Sequence, residues 1–160
     1  DIFETDFSQA TIITMYLLPD LNLKLQPKIL DQKPGTRVVS HQFNMGEWQP
    51  DETANIDNRL AHLWIVPAKA GGTWSLRIEG SAQERPLSLK QSFQMLTGQL
   101  NGATATLALS DAKLRGDQIR FTVIEGTVRR DFSGRVKGTT MGGTVRSTGS
   151  PDMRWSASRR

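Results

Sequence analysis

Few side chains in this sequence could do chemistry, and they fall into three places. Asp1, Glu4 and Asp6 form an acidic cluster ahead of an apolar run, Tyr16 and Asn22 follow that run, and Ser40, His41 and Phe43 follow the next one. Ligands of open α/β sheets gather at the C-terminal ends of strands, so Tyr16 and His41 are candidates for such an edge. Packing or capping is the alternative for Tyr16 and Asn22, and a surface imidazole is the alternative for His41. The acidic cluster reads as a solvated loop, with a metal or ribose contact as the other reading. His62 opens a later strand and reads as structural. There is no Ser-His-Asp order, phosphate-cradling glycine loop or HExxH motif. With no Cys and two His, a disulfide framework and a thiolate metal site are excluded, and no metal site is expected.

The elements that would position these residues are legible in the first part. Ala10 to Tyr16 is β-branched and apolar on both faces, the pattern of a strand buried between two layers. Leu21, Leu25 and Ile29 then recur at helical spacing, with Asp20 available as an N-cap and Pro27 interrupting or restarting the helix. Lys33-Pro34-Gly35 turns the chain into a second short strand, Thr36 to Ser40, followed by a loop-like stretch to Trp48. Strand, helix, strand predicts a βαβ unit with parallel strands and a right-handed crossover. A third strand, His62 to Val66, follows the polar segment Gln49 to Asn58.

Composition separates this part from the rest of the 160 residues. Residues 1–70 hold 6 Lys/Arg against 9 Asp/Glu and 2 of the 14 Gly; residues 71–160 hold 14 Lys/Arg against 7 Asp/Glu and the other 12 Gly. The net charge thus runs from −3 to +7, and the boundary is placed at 70/71. The later part alternates apolar and polar residues at Thr73–Glu79, Leu87–Phe93, Ala103–Leu109, Gln118–Ile124 and Thr127–Phe132. Turn glycines such as Gly80, Gly102, Gly116, Gly126 and Gly142 punctuate it. That predicts an antiparallel meander of six to eight strands or a small barrel, with a tail from Ser147 that frays unless Trp155 docks a last strand. Its Lys and Arg fall on alternating outward positions, as on a solvated barrel, so nucleic acid is not expected as a partner. No run approaches the length of a membrane-spanning helix.

The residues also carry a resemblance. Asp1 to Leu30, with its Tyr16-Leu-Leu-Pro19 run, then Pro34 to Phe43 with Gly35-Thr-Arg-Val-Val-Ser-His41, and Trp48-Gln-Pro-Asp51, resemble the C-terminal half of a class I S-adenosylmethionine-dependent methyltransferase. The likeness covers about residues 1–67. It is narrowest to bacterial members near the Dot1-like and ATP-synthase-c-subunit lysine methyltransferases. It implies an α/β plus all-β chain, in which a partial Rossmann-like sheet is followed by the β part, and it places Ala10–Tyr16 and Thr36–Ser40 as the fourth and fifth strands. The glycine-rich turn for the methionine end of the cofactor and the acidic residue for its ribose would then lie in a missing N-terminal half upstream of Asp1. The chain alone would be an inactive fragment that binds S-adenosylmethionine weakly.

Residue by residue, the resemblance implies that Asp1 accepts from the adenine amino group, with Ile2 and Phe3 flanking the ring. It puts Tyr16, Leu17 and Leu18 beside the transferable methyl, Tyr16 being the catalytic candidate. It sets Asn22, Ser40, His41 and Phe43 on the substrate side. Methyl transfer needs alignment and a dry site more than a strong base, which suits a site of Tyr and apolar residues. The implied acceptor is a protein lysine amine, with a small molecule as the other reading, and the implied location is cytoplasmic. From another class, the β part could be a non-catalytic binding or packing module.

Overall fold

A computed structural model describes residues 1–160. The chain divides into two compact units, Asp1–Pro67 and Ala68–Arg160. Ala68 to Ala70 belong to the second: the Ala68 N–H donates to the Gly116 carbonyl at 2.9 Å, and the Gln91 amide oxygen accepts from the Ala70 and Gly71 N–H groups.

The first unit contains β1 (Ile12–Met15), α1 (Pro19–Leu30), β2 (Arg37–His41), β3 (Glu52–Ile56) and β4 (Arg59–Ile65). They form a four-stranded sheet in the order β1-β2-β4-β3 with one helix. β1 and β2 are parallel, with Met15 opposite Ser40, and α1 is the connection a parallel pair requires. β2 and β4 pair antiparallel, as do β3 and β4. The helix differs from the expectation at its start: Leu18, whose side chain has no acceptor, is the N-cap, and Pro19 in the first turn sets the entry. Asp20 lies inside the first turn instead, where its charge suits the positive helix end. Pro27 stands inside the helix, which continues to Leu30.

Two further differences have physical causes. Within this unit β1 has a partner only in β2, so it is an edge, not a central strand, and Ile12 is half exposed. The polar segment before β4 contains a strand, β3, exposed at every position; its backbone pairing does not need an apolar face. The hairpin is closed by Asp57 and Asn58, both at positive φ (52° and 63°), the conformation a two-residue turn between twisted strands demands. The core comprises Leu25, Ile29, Val38, Met45, Trp48, Trp64 and Val66, all at most 1% exposed. Trp64 Nε1 donates to the Trp48 carbonyl at 2.7 Å, and the two rings lie 6.2 Å apart.

The second unit contains β5 (Gly72–Ile78), β6 (Arg85–Ser92), β7 (Met95–Asn101), β8 (Thr106–Ala108), β9 (Ser110–Arg115), β10 (Gln118–Glu125), β11 (Val128–Lys137), β12 (Thr140–Ser147) and β13 (Met153–Arg159). Pairing runs β6-β5-β13-β12-β11-β10-β9-β7, and β7 returns to β6, so eight antiparallel strands close a barrel while β8 lies along β7. Closure removes the unpaired strand edges an open sheet would expose. Alternate residues point inward and fill the interior: Trp74, Leu76, Leu87, Leu100, Leu114, Phe121, Phe132, Val145 and Trp155 are buried. Phe121 and Phe132, paired across β10 and β11, stack at 4.6 Å, and Trp155 meets both edge-on. Trp155 thereby docks β13, so the tail after Ser147 returns to the sheet. A barrel of eight strands filled in this way holds side chains, not a ligand.

Candidate functional site

Two elements of the first unit bring its chemical residues together. β1 and β2 run side by side and end level, so the residues that follow them emerge at one end of the parallel pair. Tyr16, directly after β1, is 81% exposed and lies against His41, the last residue of β2, with ring centroids 4.8 Å apart and a 43° tilt. His41 Nδ1 is buried and has no hydrogen-bond partner.

Beneath this pair α1 contributes Asn22, fully buried on the helix face shared with Leu25 and Ile29. Its Nδ2 donates to Ser40 Oγ at 3.2 Å, to the Asn44 carbonyl at 3.2 Å and, longer, to the Phe43 carbonyl at 3.5 Å, while its Oδ1 has no partner. One helix turn on, Gln26 Nε2 donates to the Met45 carbonyl at 2.7 Å. The loop after β2 is therefore held from below by two helix amides at i and i+4, the spacing that puts them on one face. Sequence reasoning singled out Asn22 but passed over Gln26 and the Met45–Trp48 bridge; the i, i+4 amide pair was the available signal. Phe43 is partly exposed at 37%, Leu17 is half-buried and Leu18 is 65% exposed, so the same end presents an apolar rim.

Asp1, Ile2 and Phe3 stand elsewhere. Asp1 Oδ1 accepts from the Phe3 N–H at 2.9 Å, and the Asp1 carbonyl accepts from the Glu4 and Thr5 N–H groups. Lys28, in the last turn of α1, donates from Nζ to the Phe3 and Thr5 carbonyls at 2.9 and 2.6 Å and lies over the Phe7 ring. A twelve-residue helix is about 18 Å long, so this turn is moored at the end of α1 away from Tyr16 and His41. Asp6 accepts from the Ser8 N–H, which holds its carboxyl below the usual range. The carboxylates of Asp1 and Asp6 thus cap local turns. His62, in contrast, pairs across β3 and β4 with Thr53, whose Oγ1 lies 3.0 Å from its Nδ1, a contact internal to the sheet. No three His, Asp or Glu side chains converge. No helix is long and apolar enough to cross a membrane.

Residues 1–52 match the ANTKMT methyltransferase domain. A protein-lysine N-methyltransferase of Saccharolobus islandicus (strain REY15A) is 41% identical over 71 residues, which are 41% of this chain and 44% of that protein. The crystal structure of an RNA methyltransferase from Salinibacter ruber, in complex with S-adenosyl-L-homocysteine, is 47% identical at a TM-score of 0.42 and covers 43% of this chain and 46% of the other. The chain spans less than half the length of each. The segment that matches this domain, about a third of the chain, contains Tyr16, Asn22, Ser40 and His41.

Proposed function

We propose that the first unit is the acceptor-side part of a Rossmann-like, S-adenosylmethionine-dependent methyltransferase that modifies a protein lysine amine. One observation carries this reading: Tyr16 and His41 meet at the C-terminal ends of a parallel strand pair, inside the segment that matches a methyltransferase domain. The likeness to a lysine methyltransferase over 71 residues supports the choice of acceptor. The remainder of the cofactor site, with the contacts for the methionine and ribose ends, would come from strands added along the free edge of β1, where Ile12 is half exposed.

The residues present suit the methyl end of the cofactor, whereas the adenine-side candidates Asp1, Ile2 and Phe3 are held by Lys28 at the other end of α1. Tyr16, Leu17 and Leu18 offer an aromatic and aliphatic wall at the methyl end. Bound beside this wall, S-adenosylmethionine would supply a sulfonium methyl for transfer to a neutral amine, which would release its proton to solvent. The chain's own residues do the positioning. Tyr16 presents its hydroxyl and ring edge to the amine, and His41 buttresses that ring from the neighbouring strand. Asn22 keeps the loop after β2 in place through Ser40 and Asn44, and the apolar rim of Leu17, Leu18 and Phe43 excludes the water that would keep a lysine protonated.

The experiment is methyl transfer from labelled S-adenosylmethionine by the full-length protein that contains this segment. A basic acceptor protein is supplied either native or with its lysines blocked by prior acetylation. Label should enter the native acceptor alone. Equal label in the blocked acceptor would overturn the lysine assignment, and the absence of transfer to any protein or amine would overturn the methyltransferase reading.

A further inference from the structure

The outer face of the β unit distributes its cations unevenly. Six arginines are in ion pairs: Arg85 and Arg130 hold Glu125, Arg129 holds Asp131, Arg77 holds Glu84, Arg135 holds Asp117 and Arg146 holds Asp152. The side chains of Lys113, Arg120, Lys137 and Arg154 have no such partner, and the strand register brings these four to one face. Lys113 lies opposite Arg120, Arg120 opposite Ser133, Ser133 opposite Thr144 and Thr144 opposite Arg154. This single transverse row crosses five strands, from β9 to β13, and spans about 19 Å at the usual strand spacing. In the next outward row Arg115, Gln118, Arg135 and Gly142 are opposite one another in turn.

Small residues along β11 and β12 leave a concavity in this face. It has a volume of about 850 Å³ and is lined by Lys113, Arg115, Arg120, Arg135 and Lys137 over Ser133, Gly142 and Thr144. No carboxylate and no aromatic ring lines it, and its apolar neighbours Leu114, Ile119 and Met141 are turned into the barrel with at most 4% exposure. A protein partner normally needs an apolar pocket for its central anchors, and base-reading proteins need an aromatic platform. The aromatic platform is absent from this groove. What it offers is positive charge and hydroxyl groups at regular spacing, which is what phosphates require.

We infer that this groove binds the phosphodiester backbone of a nucleic acid without regard to sequence. Lys113, Arg120 and Lys137 supply cations that need not first leave a carboxylate, Arg154 continues the track, and Ser133 and Thr144 donate hydroxyl hydrogen bonds from the floor.

The test uses the whole chain, a fluorescein-labelled, mixed-sequence single-stranded RNA and anisotropy over a salt series. Three or four phosphate contacts predict a log–log salt slope of about −2 to −3. The variant Lys113→Gln/Arg120→Gln/Lys137→Gln should weaken binding about tenfold or more and flatten that slope by about two, since each cation contributes roughly 0.7. Lys90→Gln, on β6 away from the groove, should change neither. Arg120→Gln alone should move both quantities in the same direction by a smaller amount, which keeps the test intact if the triple variant fails to fold. The proposal is overturned by an absence of binding at low salt, by an equal effect of Lys90→Gln, or by displacement of the RNA by polyglutamate at equal charge concentration. That last result would assign the groove to an acidic protein.

Discussion

Tyr16 and His41 lie ring against ring, 4.8 Å between centroids, although 24 residues of helix, turn and strand separate them in the chain. The contact follows from the parallel register of β1 and β2, which sets Met15 opposite Ser40 and so carries the next residue of each strand to a common end. Tyr16 remains 81% exposed, so one side of its ring rests against His41 while the rest faces solvent.

If Tyr16 aligns the acceptor, Tyr16→Ala in the full-length protein should lower kcat/KM for methyl transfer by about a hundredfold, the scale of a misplaced near-attack geometry. His41→Ala should cost less, roughly tenfold, because it acts through the position of Tyr16. The check is steady-state kinetics with labelled cofactor, and normal turnover by Tyr16→Ala would remove the residue from the active site.

Asn22→Leu should destabilise the first unit by about 2 kcal/mol. It removes the donor that serves Ser40 Oγ and the Asn44 carbonyl at a fully buried position. Hydrogen exchange read by mass spectrometry should show faster exchange over residues 40–48, with the strands of the β unit unchanged. Uniform protection in the loop would mean that Asn22 does not hold it.

Gly143→Ala should destabilise the β unit by about 2 to 3 kcal/mol. A Cβ there falls on the Ser133 carbonyl oxygen and beside Gly134 Cα across the β11–β12 pair, and both are backbone atoms that cannot swing aside. Gly126→Ala, at a turn with open space around it but a φ of 64°, should cost about 1 kcal/mol, through conformation alone. Thermal unfolding followed by circular dichroism gives the order, and a reversed order would contradict the close approach of these strands.

Glu125 is held below its ordinary value of 4.5 chiefly by the Ala103 N–H at 2.7 Å, with Arg130 and Arg85 adding to the effect against the opposing influence of burial. Its lowered folded value means that its stabilisation is complete above about pH 4.5 and is lost as the pH falls from there through the folded value. Glu125→Gln should therefore cost about 1 to 3 kcal/mol at neutral pH, and the gap to the unaltered protein should narrow below pH 4.5. A gap that stayed constant down to pH 2 would show that the charge of Glu125 contributes nothing.

Much of this was legible in the chain itself, because the signals are local. The 3.6-residue spacing of Leu21, Leu25 and Ile29 marks α1, and period-two alternation marks most strands of the barrel. Runs such as Tyr16-Leu-Leu-Pro19 and Gly35 to His41 mark the methyltransferase-like segment. β3 escaped because a strand paired through its backbone and exposed at every side chain carries no apolar period, although Asp57-Asn58 was a usable turn signal. The N-cap was misplaced because Pro19 can open a helix without a capping side chain.

What only the tertiary structure decided is pairing between distant residues, since register is a property of two strands and not of one. Sequence alone named Tyr16, His41, Asn22 and Ser40 as separate candidates; the parallel register of β1 and β2, with α1 laid beside them, made them neighbours. It also left Asp1 to Phe3 at the far end of α1, through bonds from Lys28 that no motif announces. The basic residues of the later part look evenly scattered in the sequence, as on any solvated barrel. The antiparallel register lined up Lys113 and Arg120 in one row with Arg154, because a one-residue shift in any of those strands would have turned its cation inward.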